Sequence, residues 1–277
     1  MGKGIGLIGN FKGKVGNTVG YKLSASNTGN TQGIRVYQPI VKNPKTSAQA
    51  EQRAKLAPIN ATYRILKMVI DRGNEGLPYG NKSRLAWLKQ AFRAEHMPWI
   101  VKGGVVKFPV GCPLTKGSLA GVNIEKGGND FFIVCKGLAA ETSLTTIGAV
   151  STAMKAAYPN LQDGDQITVV IVGQMEKTLA SDIFSFVIDT TSAVATARFT
   201  AEAGKISVSS NLYKIAGAVI VSREGTNGEH LRSNTTITIN QDATIARPYD
   251  AVSKAAAIES YMSAASVNSD WAEESIQ

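Results

Sequence analysis

The first 50 residues contain no carboxylate, and Glu51 is the first acid of the chain. A stretch with no acid cannot neutralise its own cations. Histidine is nearly absent as well, with only His96 and His230. The two cysteines, Cys112 and Cys135, are too few for a disulfide scaffold, and no Cys or His pair has zinc-ligand spacing. Each cysteine reads as a small buried hydrophobe. Aromatic residues make up 7% of the chain, so the core must rest on Val, Ile, Leu and Ala. No apolar run reaches the roughly 18 residues of a membrane span. Gly2, Gly4, Gly6 and Gly9 break any signal-peptide core. The expected compartment is a reducing cytoplasm, or a particle assembled in one. The sequons at Asn60, Asn81 and Asn234 then carry no weight. No fixed-period repeat is present.

What is there is a chain of 277 residues, 43% hydrophobic and 18% charged, long enough to bury a core. The net charge of +9 is unevenly spread. Residues 1–103 hold 17 Lys and Arg against 4 Asp and Glu, whereas residues 104–277 hold 13 against 17. Such asymmetry suits a basic segment that meets nucleic acid, a membrane or an acidic protein surface. Copies of the chain itself also qualify.

Residues 1–45 form a Gly- and Asn-rich basic arm, poor in large apolar side chains and costly to order alone. Within it, 14–24 and 33–41 alternate like strands and predict a loose hairpin with a long turn. Residues 46–103 form a helical segment. Thr46 and Gln49 have the spacing of a capping box behind Pro44, and Asp71–Asn74 ends the helix. Pro58 is expected to kink or split it. Ser83 is expected to cap a second helix over 84–96, stopped at Met97-Pro98. Residues 104–249 change to period two, with strands expected at 105–110, 130–137, 166–173, 181–189, 195–202, 205–209, 216–223 and 234–240. One helix interrupts them near 145–157, before Pro159. Residues 250–277 give a helix over 250–265 and an acidic tail. The pattern predicts an α+β fold: arm, helices, antiparallel β-sandwich-like domain, C-terminal helix.

The familiar motifs fail on mechanism. Gly4-Ile5-Gly6-Leu7-Ile8-Gly9 matches G-x-G-x-x-G, but only three residues precede it, too few for the strand that phosphate binding needs. Gly9 to Lys14 resembles a phosphate loop with the wrong spacing, and Val15 stands where Ser or Thr would hold magnesium. Each histidine has an acidic neighbour, Glu95 or Glu229, but no G-x-S-x-G elbow exists. Asp163-Gly164-Asp165 reads as a tight turn, short of the oxygen ligands calcium needs. No cofactor, metal or catalytic residue is expected.

The basic residues of the arm carry more signal. Phe11, Tyr21 and Tyr37 lie among Lys3, Lys12, Lys14, Lys22, Arg35, Lys42 and Lys45. Three readings follow: phosphate contacts with base stacking, a solvated tail, or an arm that adds strands to a neighbour's sheet. Apolar alternation at Val15, Val19, Tyr21 and Val36 favours the third, since a phosphate tether needs none.

The opening GNFKGKVGNTVGYKL and the segment RVYQPIVKNPKTSAQAEQRAKL resemble the N-terminal signature of a family of uncharacterised proteins in gut Bacteroidetes and their phages, including crAss-like phages. The distinctive positions are Asn43, Pro44, Lys45, Thr46, Ala48, Gln49, Gln52 and Arg53. Similar N-P-x-T-x-x-Q segments look like ones in other phage virion proteins. The resemblance covers about the first quarter of the chain and brings no catalytic residues with it. It implies a phage or prophage structural protein, made in the bacterial host cytoplasm and located in the virion.

The expected function is therefore a non-enzymatic virion building block of the capsid exterior, neck or tail. It would be a homo-oligomer that meets copies of itself and other virion proteins, with weak non-specific DNA contact and no membrane. The assembly residues expected are Lys12, Lys14, Tyr21, Arg35, Tyr37, Asn43, Pro44, Gln49 and Arg53. Asn43, Gln49 and Arg53 would fix the arm's exit angle by bonding backbone near Pro44. Alternatives are a nucleic-acid-binding or packaged protein and, further off, an enzyme carried on the β-domain.

Overall fold

A computed structural model describes residues 13–22, 32–37, 46–91, 99–109, 111–128, 130–239 and 251–263. The chain divides into two units, residues 1–44 and 45–277. The fold is α+β and β-sandwich-like, with a helix near the C-terminus.

In the first unit, strands β1 (Gly13–Val15), β2 (Thr18–Lys22) and β3 (Gln32–Val36) form an antiparallel sheet in the order β1-β2-β3. The expected hairpin is thus three strands. Gly16 at φ +59° turns the chain between β1 and β2, a conformation that favours glycine and splits the first run in two.

The second unit opens with helix α1 (Ser47–Ile70), whose N-cap Thr46 accepts a hydrogen bond from the Gln49 amide at 3.3 Å. Pro58 does not break it, contrary to expectation. The non-helical residue is Leu66, at φ −109° and ψ 15°. Beside it, the Ser181 hydroxyl donates to the Ile65 carbonyl at 2.8 Å. A side chain entering the helical ladder is a recognised cause of a kink.

Helix α2 (Asn81–Ala91) begins earlier than expected, and 92–98 lie outside the described residues. Ser83 is not its cap. The buried hydroxyl donates to the Ile70 carbonyl and accepts from Asn74, which ties the end of α1 to α2.

The β region is built from three sheets. Strands β7 (Gln166–Met175), β8 (Thr178–Val187), β11 (Lys214–Glu224), β12 (His230–Arg232) and β14 (Thr238–Ile239) make a five-stranded sheet, ordered β12-β11-β7-β8 with β14 on β11. Strands β5 (Ile124–Gly127), β6 (Asp130–Val134), β9 (Phe199–Glu202) and β10 (Lys205–Val208) make a second, ordered β5-β6-β10-β9. Strands β4 (Pro113–Thr115) and β13 (Thr235–Thr236) pair separately. Residues 105–109, expected as strand, have none; Val106 makes a single bond to the Lys177 carbonyl.

The five-stranded sheet is buried on both faces, which explains the unbroken apolar run of β7. Val170 and Val172 join one core with Ile59, Leu66 and Ile70 of α1 and Trp87 of α2. Ile167, Val169 and Ile171 point the other way. They join Ile133, Ile206 and helix α3 (Ile147–Ala157), whose N-cap Thr146 accepts from Ala149. Gly217 lies where the sheets touch: a Cβ there would sit 2.9 Å from the Phe131 ring. Helix α4 (Ala251–Ser263) closes the described chain, setting Ala257 against Ala54 and Trp99. The acidic tail expected after it lies outside the described residues.

Candidate functional site

The expected assembly residues fall into two groups, one in each unit. In the first unit, Lys14 lies on β1 opposite Val19, Tyr21 lies on β2 opposite Gly33, and Arg35 lies on β3 opposite Val19. Tyr37 follows β3, its amide donating to the Asn17 carbonyl at 2.8 Å. The Lys14 ammonium stands 3.6 Å from the centre of the Tyr37 ring, a cation–π contact that joins the sheet's two outer strands. Val36 is 69% exposed beside it. Among the described residues, β1 and β3 each leave one edge unpaired. Gly13 and Lys14, the end of the Gly9–Lys14 segment, are strand residues. Lys12, Asn43 and Pro44 lie outside the described residues, as does the glycine run from Gly4 to Gly9.

In the second unit, Gln49 and Arg53 lie in the first turns of α1. The Gln49 amide meets the cap, but its side-chain carbonyl is buried with no hydrogen-bond partner among the described residues. The capping box is therefore half made. Arg53 is exposed, with no bond or ion pair among the described residues. The backbone near Pro44 that these side chains were expected to bond lies outside the described residues. The ion pairs on this helix are made by Glu51, which meets Lys55 at 2.9 Å and Lys254 of α4 at 3.0 Å. The hydrogen bond from Lys55 leads in holding the Glu51 carboxyl below its usual range.

A third constellation escaped sequence reasoning. Arg72 follows α1, Tyr79 sits in the turn before α2, and His230 and Arg232 belong to β12. Tyr79 gathers them: the two guanidinium carbons lie 5.6 and 5.8 Å from its ring centre and the His230 ring lies 5.4 Å away. Arg232 also donates to the Tyr79 hydroxyl at 3.3 Å. Both arginines line a cleft of about 210 Å³ between the end of α1 and the five-stranded sheet. Val69, Ile183 and Ile220 contribute apolar surface; Thr168, Ser185 and Ser222 contribute hydroxyls. Neither guanidinium has an ion pair among the described residues. The nearby Glu75 is already engaged. It accepts from the Ser118 amide at 2.9 Å, the Ser118 hydroxyl at 2.9 Å and the Arg232 amide at 3.0 Å. No local signal marks this cluster, because its parts lie about 150 residues apart.

The remaining candidates take structural places. His230 faces Tyr79 rather than an acid, and His96 lies outside the described residues. Burial pushes the Cys112 thiol up to about 12 and the Cys135 thiol to about 11, which makes both poor nucleophiles. Gly164, at φ +94°, turns the Asp163–Asp165 segment as expected. Asp163 pairs with Lys155, and Asp165 with Arg223. Among the described residues, no three His, Cys, Asp or Glu gather as a metal would need, and no helix is long and apolar enough to cross a membrane.

No family model matches the chain, and neither does any curated protein or solved structure.

Proposed function

We propose that the protein is a non-enzymatic structural subunit that assembles with copies of itself and with other particle components through its N-terminal sheet. The observation that carries this reading is the first unit itself. It is a small sheet whose outer strands each have one edge unpaired among the described residues, in a segment with seven cations and no acid. Open strand edges are templates for pairing with another chain, and a small sheet gains most from such a partner. The acid-rich remainder, residues 104–277, supplies the opposite charge on neighbouring copies. The resemblance of residues 9–56 to phage proteins extends the proposal to a virion part in the capsid exterior, neck or tail.

Nucleic-acid binding is the second reading, and the seven cations favour it. The Lys14–Tyr37 contact weighs against base stacking there, since the ammonium already occupies one face of the ring.

The two readings separate by salt. Strand pairing keeps its backbone bonds as salt rises, while duplex affinity falls with a slope of about −0.9 per phosphate neutralised. Light scattering on the intact chain and on a chain lacking residues 1–44 is the test. Assembly predicts a smaller species after deletion, at low and moderate salt alike. An unchanged oligomer size, with tight DNA binding lost at physiological salt, would replace it with the nucleic-acid reading.

A further inference from the structure

We propose that the Arg72–Arg232 cleft docks the acidic segment Asp270–Glu274 of a second copy of this chain. The inference rests on the assembly reading above and names a second interface for it, built from residues of the second unit.

The receptor side is defined by chemistry. Arg72 and Arg232 both reach the cleft and both lie against Tyr79. Neither guanidinium makes a direct ion pair among the described residues, although the charge of Arg232 also acts on the neighbouring Glu75 carboxylate. Beside them lie two exposed side chains with apolar surface: Met68, which lines the cleft, at 73%, and Tyr79 at 48%. Arg, Tyr and Met beside an apolar floor are the residue types enriched where proteins bind proteins. A strand of phosphates would use the cations and leave Met68 without a role. The fitting ligand carries carboxylates and a large apolar side chain within a few residues of each other.

The chain contains such a segment. After Lys254 it has no Lys or Arg at all, and it carries Glu259, Asp270, Glu273 and Glu274. Trp271 stands among the last three. An indole between two carboxylates suits a cleft whose mouth holds two guanidiniums and whose surroundings include Met68 and Tyr79. Arginine is also the cation best suited to pair with carboxylates, through its planar fork. A subunit that carries both a receptor and its ligand assembles head to tail, so that each copy's cleft is filled by its neighbour.

The test is a binding measurement on the full chain carrying D270N, E273Q and E274Q, so that its own segment does not compete. The probe is a fluorescent peptide of residues 264–277, followed by anisotropy. The peptide is expected to bind. Adding R72E and R232E to the receptor, or neutralising the three acids of the peptide, should each weaken binding about tenfold, the worth of two partly exposed charge pairs. A peptide carrying D270K, E273K and E274K should bind the R72E/R232E receptor better than the native peptide does. That reversal also shows that the variant is folded. Equal binding of native and neutral peptides overturns the proposal. So does a single-stranded oligonucleotide that displaces the peptide at physiological salt. If the unaltered chain excludes the peptide while remaining monomeric, the segment closes on its own subunit and the second-copy proposal fails. Deleting residues 1–44 tests the other interface, so peptide binding that survives an unchanged oligomer size sinks the N-terminal reading and leaves this one standing.

Discussion

Arg223 grips Asp165 through two parallel hydrogen bonds, Nε to Oδ1 at 2.6 Å and Nη2 to Oδ2 at 2.7 Å. Asp165 is 1% exposed and also accepts from the Gln162 amide, while Arg223 reaches the Asn160 carbonyl at 2.9 Å. The pair therefore clips the turn before β7 to the end of β11. Arg223→Ala would leave a buried carboxylate unpaired. We expect a loss of about 3 kcal/mol in urea unfolding, with Asp165→Asn in the same background recovering part of it. A loss within experimental error for Arg223→Ala would mean that water satisfies Asp165.

Glu75 plays a similar part between α1, β12 and the Ser118 loop. Burial alone would raise its pKa; the bonds from Ser118 and the Arg232 amide outweigh that and hold it below the usual value. Its stabilisation is then complete above the ordinary carboxyl pKa of 4.5 and disappears as pH falls through the lower folded value. Glu75→Gln should cost about 1–2 kcal/mol at neutral pH. The cost should shrink below pH of about 4. Urea midpoints of both proteins across that range check it.

Gly117 lies where the same loop passes the Arg232 carbonyl, and a Cβ would press on that oxygen and come 2.7 Å from Glu75 Oε2. Gly117→Ala should destabilise by about 1–3 kcal/mol, because the facing atom is backbone that cannot swing aside. Thermal unfolding reads the loss. A neutral result would show that the loop yields.

Both thiols are buried and free. They should resist a thiol reagent at pH of about 8 in the folded protein and react at once in denaturant. Cys112 rises from 9.0 to about 12 on folding, through burial. Its contribution is complete below 9.0 and is lost as pH climbs toward 12. Cys112→Ala should flatten that part of the stability profile.

Local chemistry was legible in the sequence. Thr46 announced the start of α1 and the Asp71–Asn74 turn its end, since caps and turns act over a few residues. The alternating runs gave β6, β7, β8, β10 and β11, because a strand's side chains must face opposite ways. The change of period after Gly103 gave the α+β class. Pro58 misled, since its local cost is outweighed by the packing of a buried helix, and the kink at Leu66 lies beside the hydrogen bond from Ser181, 116 residues away. Residues 105–109 look like a strand but found no ladder to join. The Arg72–Tyr79–Arg232 cluster and the Asp165–Arg223 clip had no signature in the sequence. Their members come from distant elements, and only the stacking of α1 on one face of the five-stranded sheet and of α3 on the other brings them within reach.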